Sequence, residues 1–191
     1  MTQTLKARAP HLPGEAGVWV FILGDMAMFA ALFITFVYYR RADVAGFVHS
    51  QHALNQQLGA LNTFFMLTSS WCVALAVHAA RAGLARRAQG WLLAGMACAV
   101  SFVVVKFFEY SEKIAAGITL TSNDFFMYYY MLTGLHLLHV LLGLGVLSYL
   151  WRSLCAPAGH STLRTLESGA CFWHMVDILW IVLFALLYML R

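Results

Sequence analysis

The chain has 191 residues, 62% of them hydrophobic and only 10% charged, with a formal net charge of +4 and a mean hydropathy of +0.74. A water-soluble domain of this length carries about a quarter charged residues, so composition excludes one and points to an all-α, polytopic membrane helix bundle. No basic patch interleaved with aromatics is present, which argues against nucleic acid as a partner.

In chain order, a short basic tail with Lys6, Arg8, Pro10 and Pro13 comes first. The apolar run behind it is too long for a signal-peptide core and lacks a small-residue cleavage site. Five apolar runs predict five membrane spans in a single domain over 1–191, at approximately 16–39, 61–80, 91–110, 125–151 and 169–190. A polar connection (Asp43, His49, Gln51, His52, Asn55, Gln56, Gln57) follows the first span, and a loop with Arg81, Arg86 and Arg87 follows the second. Ser111 to Asp124 separate the third and fourth spans, and a loop with Pro157, Gly159 and Arg164 precedes the fifth.

Lys6, Arg8, Arg81, Arg86, Arg87, Arg152 and Arg164 fall on one side of such a bundle, against Arg40, Arg41, Lys113 and Arg191 on the other. This bias predicts a cytoplasmic N-terminus. Trp91, Trp151 and Tyr128-Tyr129-Tyr130 suit interfacial belts. Gly134, Gly143, Gly145, Ala30 and Ala31 mark faces for close packing on a neighbouring helix or a partner subunit. Cys72, Cys98, Cys155 and Cys171 lack CxxC or zinc-type spacing and read as small buried hydrophobes.

The fourth span, Phe125 to Trp151, carries His136 and His139 on one helical face. Imidazoles are expensive in hydrocarbon, so this face must look into protein, a cavity or another polar group. Asp25 lies ~13 Å into the first span at 1.5 Å per residue, where a bare carboxylate needs a proton or donors from another helix. Glu109 has two candidate partners: Lys106 three residues earlier on its own helix, or His136 across an antiparallel pair at similar depth. His174 and Asp177 are again three apart, with Asp177 bracketed by Trp173 and Trp180. By depth, Asp25, His139, His174 and Asp177 share the cytoplasmic half, and His78 sits at the inner interface.

Three functions compete for these residues. Histidines and carboxylates on neighbouring helices are raw material for di-iron or bis-histidine haem centres, but a di-iron bundle wants Glu-x-x-His pairs that neither His136-x-x-His139 nor His174-x-x-Asp177 supplies. A proton or ion path through buried acids and imidazoles is the second, although no internal repeat or broken helix of the transporter kind is visible. The third is structural, with polar side chains holding helices in register in an accessory subunit. From residues alone it ranks first. The alternative is a stand-alone membrane protein with an intramembrane His/carboxylate metal or proton-transfer site.

Four segments carry a resemblance. Phe21-Ile22-Leu23-Gly24-Asp25-Met26-Ala27-Met28-Phe29, Leu61-Asn62-Thr63 with Thr68-Ser69-Ser70-Trp71, and Phe108-Glu109-Tyr110-Ser111-Glu112 are three parts of it. The fourth is the pair Thr133-Gly134-Leu135-His136-Leu137-Leu138-His139-Val140 and Trp173-His174-Met175-Val176-Asp177-Ile178-Leu179-Trp180. From Gly14 to Tyr188 the chain resembles subunit III of the haem-copper oxidase superfamily.

The resemblance implies a non-catalytic subunit in a bacterial inner membrane, with no cofactor, metal or catalytic residue of its own. Haem and copper or iron belong to a partner catalytic subunit in respiratory electron transport. It implies support for that subunit's stability, proton uptake and lipid environment. Asp25 takes the place of an embedded carboxylate that is glutamate in many relatives. Arg152 matches an arginine that meets a lipid phosphate, a role suited to a two-pronged guanidinium. The chain lacks two N-terminal helices of the long family form, which form one wall of its lipid cleft. The Leu12-Pro13-Gly14-Glu15 lead-in, Trp19-Val20-Phe21-Ile22-Leu23-Gly24-Asp25 and the short connections resemble the accessory protein associated with nitric oxide reductase in denitrifying bacteria. An ordinary small subunit III of a cytochrome c or quinol oxidase is the other candidate. On either reading Asp25, Glu109, His136, His139, His174 and Asp177 form an interior polar network.

Overall fold

The computed structural model describes residues 15–155 and 161–190. The N-terminal tail and most of its lead-in, Pro157, Gly159, the Cys155 side chain and Arg191 lie outside them. The described residues form α1 (Ala16–Ala42), α2 (Val44–Gln51), α3 (Gln56–Arg81), α4 (Ala85–Ala115), α5 (Asp124–Cys155) and α6 (Ser161–Phe184). A π-helical turn, Ala185–Met189, continues α6. All but α2 are long and apolar enough to cross a membrane, so the five expected spans are present.

The helices outrun their expected bounds because polar ends continue the backbone pattern past the hydrocarbon. At 31 residues, α4 reaches ~46 Å, well beyond a ~30 Å apolar slab. Arg86 and Arg87 accordingly lie within its first turns rather than in a loop. The expected polar connection after α1 contains the eight-residue α2. Asp43 starts it by accepting from Gly46 N–H at 3.0 Å, and Asn55 caps α3 by accepting from Gln57 and Leu58 N–H.

Two glycines stop helices. Gly83 and Gly117 each have φ 75°, a left-handed conformation that costs glycine nothing. Leu84 N–H then reaches Ala79 O at 2.9 Å, and Ile118 N–H reaches Lys113 O at 2.9 Å. Both are the terminal bonds of a Schellman motif, and the connection from α3 to α4 is tight.

The bundle has α3 and α4 at one edge, α5 and α6 in the middle, and α1 laid along α5 and α6. In the most apolar window of α6, 56% of residues are buried, against 17% in α1. The centre of the bundle is therefore α6, rather than the α5 stretch that the histidine pair marks in the sequence. On the side bearing α2, Gln51 donates to the carbonyls of Leu186 and Leu187 in the π turn, and Lys113 donates to Ala53 O at 2.6 Å. On the opposite side, Arg81 of α3 pairs with Glu167 of α6 at 2.9 Å.

Of the small residues expected at close crossings, Gly143 alone makes one among the described residues. Gly134 and Gly145 have nothing within 4 Å of a built Cβ, and Ala30 and Ala31 are exposed. At Gly143 a Cβ would sit 2.6 Å from Cε3 and Cζ3 of Trp173, a fully buried ring that cannot swing aside. Gly143→Ala is expected to force α5 from α6 and cost about 1–3 kcal/mol. Unfolding in detergent would read this, with Gly134→Ala unchanged as the control.

Candidate functional site: polar groups inside the bundle

The largest polar cluster is built on α4, whose spacing puts Lys106, Glu109, Tyr110 and Lys113 on one face. Lys106 Nζ donates to Glu109 Oε2 at 2.9 Å, to Tyr188 Oη at 3.0 Å and to Tyr129 Oη at 3.5 Å, so all three ammonium protons are used. Tyr188 donates to the other Glu109 oxygen at 2.5 Å. Around the same nitrogen stand Trp180, Tyr129, Tyr188 and Tyr110, with centroids at 5.0, 5.1, 5.5 and 5.6 Å. Lys106 is 1% exposed and Glu109 0%.

Desolvating each of these ions costs several kcal/mol, and only close, saturated geometry offsets that. Here the charges cancel, the protons are all placed and ring faces add cation–π attraction. The π turn matters to this arrangement. Its i→i−5 bond, Leu190 N to Ala185 O at 2.9 Å, changes the helical phase on which Tyr188 is presented. Tyr110 extends the cluster to Thr133 of α5 at 2.6 Å.

Of the two partners open to Glu109, Lys106 is the one it meets. The expected approach of His136 is not observed. His136 Nε2 bonds instead to Val176 O of α6 at 3.0 Å, with the ring packed beside Phe102 and Trp180. A carbonyl only accepts, so Nε2 carries the proton, and Nδ1 faces no hydrogen-bond partner among the described residues. The local ion pair wins because a lysine three residues away neutralises Glu109, which a single neutral imidazole cannot do. His136→Leu should therefore loosen α5 from α6, not α4 from α5, and cost about 0.5–1.5 kcal/mol, the worth of one hydrogen bond. A melt of the variant checks this.

His139 bonds its own helix through Nδ1 to Leu135 O at 2.8 Å and points Nε2 at Asp25 Oδ2, 3.3 Å away. Phe29 of α1 stands against the same ring. With the Nδ1 proton committed to a carbonyl, Nε2 and Oδ2 would face each other as two lone pairs unless one more proton lies on the pair. The 3.3 Å approach falls short of hydrogen-bond geometry, and Oδ2 has no other partner among the described residues.

The third group joins α3 to α6. Ser70 Oγ is 2.5 Å from His174 Nδ1 and also faces the Asp177 carboxyl, whose Oδ1 makes no hydrogen bond. The six residues read from the sequence thus occupy separate places. Glu109 belongs to the lysine cage, Asp25 and His139 to the α1–α5 contact, His174 and Asp177 to the α3–α6 contact, and His136 to the α6 backbone. Among the described residues no hydrogen bond or ion pair links these groups into one network.

Arg152 is exposed near the end of α5. One turn before it, Tyr149 lines an apolar groove of about 530 Å³ between α1, α5 and α6, with Val18, Phe21, Val146 and Phe172.

Sequence reading missed Ser70, Tyr129 and Tyr188 as members of these groups. The run Tyr128–Tyr130 looked like an interfacial belt, but Tyr128 and Tyr129 are buried and Tyr130 bonds to Ile118 O at 2.9 Å. A buried lysine needing acceptors was the available signal for the tyrosines. The intramembrane Thr68-Ser69-Ser70 run was the signal for Ser70, since hydroxyls there seek partners on other helices.

The profile described as cytochrome c oxidase subunit III matches residues 12–191. Cytochrome c oxidase subunit 3 of Synechocystis sp. is 33% identical over 94% of this chain and 82% of its own length. Quinol oxidase subunit 3 of Bacillus subtilis is 26% identical over 91% of this chain and 85% of that protein. A haem-copper oxidase subunit I+III of Aeropyrum pernix is 28% identical over 92% of this chain but only 22% of its own length. With relatives of these kinds, and a match that begins before α1 and runs to the last residue, the chain is a multi-pass membrane protein that belongs to the cytochrome c oxidase subunit III family.

Proposed function

We propose that the chain is the non-catalytic accessory subunit of a membrane respiratory complex, bound to a haem-copper-type catalytic subunit that holds the haem and the copper or iron. The observation that carries this reading is how the polar residues are used. Lys106, Glu109, Tyr188, His136 and Ser70 tie helices to one another, which suits a subunit that keeps a shape beside a larger partner. A protein joining subunits I and III in one chain, as the Aeropyrum pernix relative's name states, supports a lateral partner of the subunit I type. The single domain over 1–191, the bacterial inner membrane and the cytoplasmic N-terminus go with this reading. The last rests on Arg81, Arg86, Arg87, Arg152 and Arg164 gathering on the side where α1 begins.

Within that role two finer functions follow. Asp25 and His139 hold a proton near the middle of the bundle and buffer proton uptake by the partner. Arg152 grips a phospholipid phosphate while acyl chains lie in the groove past Tyr149 and Phe21. The Trp19-Val20-Phe21-Ile22-Leu23-Gly24-Asp25 stretch supports a nitric oxide-reducing partner, whereas the names of the relatives support an oxygen-reducing one.

Purification from native membranes in mild detergent tests the whole proposal. A large haem-bearing subunit should co-purify in fixed ratio, and its haem type and its consumption of oxygen or nitric oxide decide between the two partners. Isolation of the chain free of any haem protein would overturn the reading.

A further inference from the structure

We propose that the cavity between α1 and α6 is a docking site for the ring of a membrane-dissolved quinone or its quinol, held by one hydrogen bond to His174. The cavity measures about 230 Å³. That is room for one substituted six-membered ring, since a dry apolar cavity of about 150 Å³ is enough for benzene. Met26 and Ile178 line it and are exposed on the membrane face of their helices, so a guest enters from the bilayer. It shares no lining residue with the groove past Tyr149.

The lining selects a flat ring over an acyl chain. Trp19 and Met26 come from α1, and Cys171 and Met175 come from α6. Cys171, His174 and Met175 stand at i, i+3 and i+4 on one face of α6. Thiol and thioether sulfurs are polarisable and favour contact with flat conjugated rings, and an indole packs on such rings in the same way. A saturated chain gains neither preference. A mostly apolar lining with one placed polar group is the usual form of a small-molecule site, and here that group is His174.

His174 suits a guest that exists in two hydrogen-bonding forms. Its Nδ1 is 2.5 Å from Ser70 Oγ, which fixes the ring. Nε2, on the far side of that ring, has no hydrogen-bond partner among the described residues and is the polar atom left for the cavity. Ser70 also faces the Asp177 carboxyl, and a hydroxyl both donates and accepts. With its proton turned to Asp177, Ser70 accepts from Nδ1–H, and Nε2 of the neutral imidazole accepts from a quinol hydroxyl. With its proton turned to Nδ1, Nε2 carries the imidazole proton and donates to a quinone carbonyl. Either form is held without moving a heavy atom, and binding makes or breaks no covalent bond. The proposal concerns this chain alone and takes no support from the accessory-subunit reading.

The full chain in detergent, titrated with decyl-benzoquinone, tests the site through quenching of tryptophan fluorescence. One saturable site per chain is expected, and Trp19→Phe should remove the saturable part of the quenching. Decylbenzene, which has the ring without the oxygens, should displace the quinone but bind more weakly. His174→Leu should weaken the quinone by about two- to tenfold, the worth of one hydrogen bond, and leave decylbenzene unchanged. Cys171→Phe, which fills the cavity with a ring of its own, should abolish binding of both and serves alone should His174→Leu fail to fold. Quenching that never saturates, equal affinity for the two rings in the parent chain, or quinone binding that survives Cys171→Phe would overturn the proposal.

Discussion

Replacing Lys106 with methionine is expected to be the most destabilising single change in the bundle, at about 3–5 kcal/mol. Methionine fills much the same space, so the loss is electrostatic. It leaves Glu109, fully buried, with the Tyr188 hydroxyl as its remaining donor, and it empties the centre of four aromatic rings. An uncompensated buried charge is what makes breaking such a pair costly, more than the pair's own net worth. The double variant Lys106→Met/Glu109→Leu should therefore recover much of the loss. Tyr188→Phe, which removes one donor but no charge, should cost about 1–3 kcal/mol. Unfolding of the purified chain in mild detergent gives all three values. A Lys106→Met protein as stable as wild type would show that the cage contributes nothing to holding α4, α5 and the π turn together.

That cage also marks where the sequence stopped being legible. Five spans follow from apolar length alone, and Lys106 with Glu109 follows from helical spacing. The third partner, Tyr188, does not. It lies 79 residues from Glu109 on a π turn, and one extra residue in a turn shifts the phase of everything after it. No propensity rule signals that turn. The same limit applies to the histidines. Spacing placed His136 and His139 on one face correctly, but which helix each met depended on crossings that depth counting cannot resolve. His136 reached a backbone carbonyl on α6 rather than a carboxylate on α4, a class of partner invisible to any search for complementary side chains. By contrast, His139 met Asp25 as depth alone suggested. The α2 helix was hidden differently, because its eight residues, Val44–Gln51, are too few for a span and sit among polar neighbours, so they read as a connection until Asp43 capped them.

Asp25→Asn carries the second large expectation, and it falls on function rather than stability. The amide has nearly the shape of the carboxyl, and its N–H can donate to His139 Nε2, 3.3 Å away in the parent contact. His139 Nδ1 keeps its bond to Leu135 O, and Phe29 keeps its ring contact. Nothing in the packing should move, so melting should shift by no more than a few tenths of a kcal/mol. What changes is proton capacity. On the proposed function, the wild-type contact holds one proton beyond the Nδ1 proton, and it is this proton that leaves and returns. An asparagine amide supplies a hydrogen that does not exchange roles with a base. If the accessory subunit buffers proton uptake, the assembled complex carrying Asp25→Asn should start at the wild-type rate and then lose turnover progressively. Loss from the first turnover would point to misassembly instead. Asp25→Leu separates the effects further, since it removes both the proton and the hydrogen-bonding group. It should reproduce the functional loss and add a stability cost of about 1 kcal/mol. Consumption of oxygen or nitric oxide followed over many turnovers by the reconstituted complex is the measurement. Undiminished activity of Asp25→Asn throughout such a run would remove the proton from the role of α1 and leave His139 a purely structural contact.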